Sequence, residues 1–118
     1  MLNFQTMNNY SLLLNTLPEK GAPLKVDLLN TKKAAMVLRA INHKLRQQML
    51  KIIDEQEKIT VTELYQKLML EQSVASQHLA ILRKAGFVKT SRTGKFIYYS
   101  VNHNRVEELN KFVNELLH

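Results

Sequence analysis

Residues 71–86, EQSVASQHLAILRKAG, decide the fold of this chain. At about 100° per residue the stretch makes a helix with two unlike sides. Ala75, Leu79 and Leu82 fall on one side, and Val74, His78, Ile81 and Ala85 widen that face. Ser73, Ser76, Gln77, Ala80 and Lys84 gather opposite. This outer stripe is polar or small and carries no carboxylate. Such a surface can lie against a polyanion and offer hydroxyl and amide groups to base edges. An ordinary amphipathic helix with a solvated face has the same pattern, so the neighbouring segments must separate the two readings.

Downstream, Gly86 closes the helix as its C′ residue. Residues 87–91 and 95–101 then read as strands, with Arg92-Thr93-Gly94 as a hairpin loop whose glycine takes a positive φ. Lys89, Arg92 and Lys95 crowd this hairpin. Upstream, Thr62 caps a short helix over residues 63–69, with Leu64 and Leu68 inward. Leu70, Glu71 and Gln72 form a tight turn into the next helix. Two helices joined this closely fit a helix-turn-helix. Before them, residues 58–61 are a short β-branched run that reads as one strand.

Further out, Asp27 caps a helix to Ile41 along Leu28, Ala35, Leu38 and Ile41. Asn42 caps the next, residues 43–56, whose buried stripe is Leu45, Met49, Ile52 and Ile53. Asn102 or Asn104 caps a last helix to Leu117, with Val106, Leu109, Phe112, Val113 and Leu116 in line. That stripe is long for a terminal helix in so small a chain, and a second subunit is its simplest cover. Residues 1–26 form a separate N-terminal extension, partly helical or flexible, punctuated by Asn8, Asn9, Pro18, Gly21 and Pro23. Within it, residues 10–17 have room for two helical turns capped by Asn9 or Ser11. The expected class is α+β, mostly α, with a two-stranded β wing on a helical domain spanning residues 27–118.

Composition narrows the chemistry. The 118 residues hold one domain and one modest core, and 45% of them are hydrophobic. There is no cysteine, which removes disulfides, thiolate metal sites and cysteine redox sensing together. The formal net charge of +7 suggests an acidic partner, most often nucleic acid. No apolar run reaches the length of a membrane span, and the N-terminus is a poor signal peptide; a cytoplasmic protein is expected. There is no Gly-rich phosphate loop, no cysteine nucleophile and no convincing Ser/His/Asp set. An enzyme is therefore disfavoured and no cofactor is expected.

Residues 40–101 resemble the ArsR-type winged-helix repressors, the family of arsenic and metal sensors. The likeness runs through Arg46, then Ile59 to Leu64, then Ser76-Gln77-His78-Leu79 with Leu82-Arg83-Lys84-Ala85-Gly86-Phe87-Val88, and finally Gly94-Lys95-Phe96-Ile97-Tyr98-Tyr99. Motif, order and spacing agree over HLAILRKAGFVKTSRTGKFIYYSV. The flanking helices agree in position and period only, and the first 26 residues are not covered. The resemblance implies a homodimer built on the first and last helices, a recognition helix in the major groove and a wing beside the backbone or minor groove. It also implies repression of a promoter, relieved by a signal. The inducer is not legible.

Gln72, Ser73, Ser76 and Gln77 are the candidate base readers, since glutamine can pair bidentately with adenine and serine serves several bases. Lys84, Lys89, Arg92 and Lys95 are candidate phosphate contacts, which supply affinity more than specificity. For each, a solvated surface side chain is the plain alternative. His78 reads as a structural histidine bonded between helices, and Arg46 as half of a structural ion pair. Tyr98 and Tyr99 alternate across the wing strand, and one should pack inward. In metal-sensing relatives a Cys-x-Cys pair opens the first helix of the recognition unit; Thr60 and Thr62 stand there, and hydroxyls cannot replace thiolates for soft metals. Other relatives bind zinc on the last helix, where this chain has His103 near the first ligand position, Arg105 at a histidine position and Leu116 at the later one. His103 and Glu107 alone would make a weak two-ligand site, so no metal is expected. The competing readings are a winged-helix protein-interaction module and a basic membrane-surface protein.

Overall fold

The computed structural model describes residues 10–15 and 21–118. The chain divides into two compact units, residues 1–38 and 39–118. The division falls inside a helix. The first unit contains β1 (Ser11–Leu14), β2 (Leu24–Asp27) and most of α1 (Leu28–Ile41). The expected helix over residues 10–17 is corrected where the structure describes it: Ser11 to Leu14 are a strand, antiparallel to β2, with Leu12 opposite Val26 and Leu14 opposite Leu24, while residues 16 and 17 lie outside the described residues. Four residues of Ser-Leu-Leu-Leu satisfy either period, and only the partner strand decides between them. The proposed cap Asn9, and Pro18, lie outside the described residues. Asp27 ends β2 and caps α1 as expected, its carboxylate accepting from the Asn30 backbone N–H at 3.0 Å.

The second unit carries the helix-turn-helix. It runs through α2 (Lys44–Gln56), β3 (Ile59–Thr60), α3 (Val61–Leu68), α4 (Gln72–Lys84), β4 (Val88–Thr93), β5 (Phe96–Val101) and α5 (His103–Leu117). Two caps differ from expectation. His43, not Asn42, caps α2 through its ring Nδ1, which accepts from the Leu45 N–H at 3.2 Å. Thr60, not Thr62, caps α3 in a capping box with Glu63, because Glu63 stands at the third helical position and can reach back to the Thr60 N–H. Asn102 caps α5, accepting from the Arg105 N–H at 3.4 Å.

The core lies where α2, α3 and α4 meet the sheet. Met49, Ile53, Ile59, Leu64, Leu79, Leu82 and Phe87 are fully buried there. The sheet has three strands in the order β3-β5-β4, so the two-stranded wing gains a short third strand at its base. Ile59 pairs with Tyr99 and Thr60 with Tyr98. No helix among the described residues is long and apolar enough to cross a membrane.

Candidate nucleic-acid interface

The recognition unit is built by three local devices. The α3–α4 turn is Met69-Leu70-Glu71, and Met69 takes the left-handed conformation at φ 56° that ends α3. Ala75, Leu79 and Leu82 then fix α4 by their complete burial. At the other end, the Gly86 N–H donates to Arg83 O and the Phe87 N–H to Leu82 O, both at 2.9 Å. This double bond is a Schellman ending with Gly86 at C′, and its φ of 88° suits glycine. Phe87, fully buried, anchors the chain as it turns into β4.

The outer side of α4 is as the sequence placed it, with two amendments. Gln72, Ser73, Ser76, Gln77, Ala80 and Lys84 are all exposed. At 100° per residue they span a sector of about 140°. None of the Gln72, Ser73, Ser76 or Gln77 side chains is spent on a bond within the described residues. Arg83 belongs to this sector, between Gln72 and Ser76 in phase, and is exposed. The same periodicity that located the serines could have found it. Ile81 does not widen the buried face; it is 43% exposed, because its phase falls just beyond Gln77. No acidic residue occupies the first turn of α4, and Arg83 and Lys84 close it, where cations oppose the negative end of the helix dipole.

The wing does not bring all its cations to one side. Paired residues share a face, so Val88, Thr90 and Arg92 lie with Val101, Tyr99 and Ile97, while Lys89, Ser91 and Thr93 lie with Ser100, Tyr98 and Phe96. Val88 and Val101 are buried, so the first face turns to the core and Arg92 extends it toward the tip. Lys89 is on the reverse face. The loop is the pair Gly94-Lys95, not Arg92-Thr93-Gly94, since Thr93 pairs directly with Phe96. Gly94 has φ 61° and Lys95 a negative φ, the sign pattern of a type II′ turn. Arg92 Nε donates to Gly94 O at 3.1 Å, and Lys95 Nζ sits 5.5 Å from the Phe96 ring centre. On the reverse face Lys58 lies over Tyr98 at 5.0 Å. Tyr98 and Tyr99 are both half-buried, Tyr99 on the core-facing side and Tyr98 on the reverse.

Behind α4, His78 is bonded between helices as expected: Arg46 Nη1 and His78 Nδ1 are 3.1 Å apart. Burial holds the His78 imidazole below its ordinary value, helped by His43 and Arg46. Arg46 is corrected from an ion pair. Its Nε donates to Ala40 O at 2.6 Å and its Nη2 to Arg39 O at 3.0 Å, carbonyls that the end of α1 leaves without helical partners.

Three of the residues at the positions that the resemblance assigns to metals, Thr60, His103 and Arg105, have other partners. Thr60 Oγ accepts from the Glu63 N–H and donates to its carboxylate. His103 bonds to Asp54 Oδ1 at 2.6 Å, not to Glu107, and Arg105 Nε donates to Ala85 O at 3.0 Å. Among the described residues no three His, Cys, Asp or Glu side chains converge. Two hydroxyls and a guanidinium do not fit a soft metal.

Residues 43–90 match the model of the family described as bacterial regulatory protein, arsR family. The chain is similar to the transcriptional activator HlyU of Vibrio cholerae, 37% identical over 101 residues that cover 84% of this chain and 89% of HlyU. It is also similar to the transcriptional repressor PagR of Bacillus anthracis, 36% identical over 95 residues, 78% of this chain and 92% of PagR. Among solved structures, the transcriptional regulator HlyU from Vibrio vulnificus superposes with a TM-score of 0.56 at 35% identity, covering 75% of this chain and 91% of that one.

Proposed function

Since this chain belongs to the arsR family of bacterial regulatory proteins and is a winged-helix, DNA-binding transcriptional regulator, we propose that it is a dimeric repressor whose α4 reads an inverted-repeat operator. One observation carries the reading: the exposed, carboxylate-free sector of α4, with the unspent side chains of Gln72, Ser73, Ser76 and Gln77. Lys84, Arg92 and Lys95 then take phosphates, and Lys89 does so from the reverse side of the wing. Residues 27–118 are the DNA-binding and dimerisation domain. The dimer uses the first and last helices, which is supported by the absence of any buried residue in α5 and by the exposure of Phe112 and Leu116. On α1, Leu29 and Met36 are likewise exposed. Repression follows from occupying a promoter in the cytoplasm; the chain's relatives are regulators rather than enzymes.

Two recognition helices related by a two-fold axis meet major grooves about 34 Å apart, or a multiple of that. The test is selection from a random duplex pool in chelator, followed by sequencing of the retained DNA. Enrichment of an inverted repeat supports the proposal. Retention without a motif means non-specific DNA binding, and retention only with added zinc means a metal-dependent regulator. No retention under either condition leaves a protein-interaction module. Gln77→Ala should weaken operator binding by about 1–3 kcal/mol and leave random-duplex binding nearly unchanged; equal loss on both removes Gln77 from base reading.

A further inference from the structure

Among the described residues Arg46 is the charged side chain buried in the core, 8% exposed. Among the described residues no carboxylate pairs with it. A buried charge is tolerated only when its donors are satisfied. Here they go to Arg39 O, Ala40 O and His78 Nδ1. Two of these partners are the last-turn carbonyls of α1, and the third is a ring on α4, so one guanidinium ties the end of α1, the body of α2 and the recognition helix together.

The third bond is conditional. A guanidinium has only N–H donors, so His78 Nδ1 must be the acceptor and the ring proton sits on Nε2. Protonation of Nδ1 converts that acceptor into a donor and sets an imidazolium against a guanidinium. The His43 ring, centred 4.9 Å from that of His78, adds a second basic group. Arg46 lies on α2 and His43 is the residue that caps it. Among the described residues, the other elements packed most closely on α4, α3 and β4, place no ionisable side chain in hydrogen-bond or ion-pair contact with His78, and Arg105 of α5 is bonded to Ala85 O beyond the far end of α4. On α4 itself the charged residues, Arg83 and Lys84 with the capping Glu71, stand at the helix ends. Among the described residues no carboxylate bonds to the His78 ring to offset the new charge, and Gln77, a candidate base reader, is the preceding residue.

We propose that His78 is a positioning residue for α4: its neutral ring, held by Arg46, keeps the recognition helix in its DNA-reading position, and protonation releases it, so that sequence-specific binding is lost in acid. This rests on the reading of α4 as the base-reading helix. The ring's preference for the neutral form places the loss on the acid side of the ordinary histidine range. Specific binding is complete above that range and falls as pH drops through the imidazole's own value.

Two measurements test this on the full chain. The first is a proton–nitrogen NMR titration of wild type from about pH 7.5 to about pH 5, following the His78 ring nitrogens and the α4 backbone amides. The α4 amides should shift in step with the His78 ring. The second compares wild type with His78→Gln, whose side-chain oxygen can accept from Arg46 but does not titrate. The ratio of affinity for the selected duplex over a random duplex should fall about tenfold in wild type over this range, as for a typical coupled pair of sites, and stay level in His78→Gln. Amides of α4 that ignore the His78 titration overturn the proposal, as does a His78→Gln protein that loses its sequence preference in acid as wild type does. A wild type with no sequence preference even at neutral pH overturns instead the base-reading role of α4, and a preference that persists unchanged in acid overturns the His78 role alone.

Discussion

At the scale of single residues, Gly86 shows how one position serves two elements. Its φ of 88° ends α4, and a Cβ there would lie 3.2 Å from Arg105 Nε. That nitrogen is already committed to Ala85 O. Gly86→Ala therefore combines a left-handed alanine with a crowded guanidinium. It should cost about 1–2 kcal/mol from the backbone alone, read as a lower urea midpoint with unchanged slope. The glycine's role as C′ was legible from its place after a periodic run. Arg105 as its neighbour was not, since they are joined only through the fold. His78 makes the second prediction. Its folded value lies below 6.5, so the unfolded chain binds the extra proton first. Stability should be complete above the ordinary histidine value and fall as pH drops through the folded one. Thermal melts of wild type and His78→Gln across that range check this: the wild-type curve should fall more steeply in acid.

At the scale of elements, the wing's alternation decides which cations act together. Arg92 continues the core-facing side of β4 and Lys89 takes the other. Arg92→Ala and Lys95→Ala should each weaken binding to all duplexes alike and lower the salt slope by about one. A loss confined to one sequence would instead make either residue a base reader. The elements themselves were legible wherever apolar spacing ran for three turns or more, as in α1, α2, α4 and α5. Their starts were less so: several polar residues can cap, and geometry chose His43 over Asn42 and Thr60 over Thr62. Strand β3 has two residues, too few to carry a period, and its pairing with β5 is a tertiary fact.

At the scale of the whole molecule, α5 has no buried residue, yet Phe112 is 45% and Leu116 66% exposed along one apolar stripe. Exposed rows of this kind are costly in water unless covered. If a second copy covers them, Phe112→Glu with Leu116→Glu should halve the mass in sedimentation at micromolar concentration. It should also weaken operator binding by more than random-duplex binding, because only a dimer spans both half-sites. A double variant that keeps the wild-type mass would remove α5 from the interface.

The sequence by itself determined the helix-turn-helix, the wing and the candidate reading face. Burial phase along a helix and turn chemistry at Gly86 and Gly94 are local properties, visible wherever a period is long enough to read. Tertiary structure alone decided the rest. It turned residues 11–14 into a strand by supplying β2 as a partner, moved the hairpin loop to Gly94-Lys95 by fixing the Thr93–Phe96 register, and gave Arg46 carbonyl and imidazole partners in place of a carboxylate. Each of these depends on groups distant in the chain, and distance along a sequence carries no record of who meets whom.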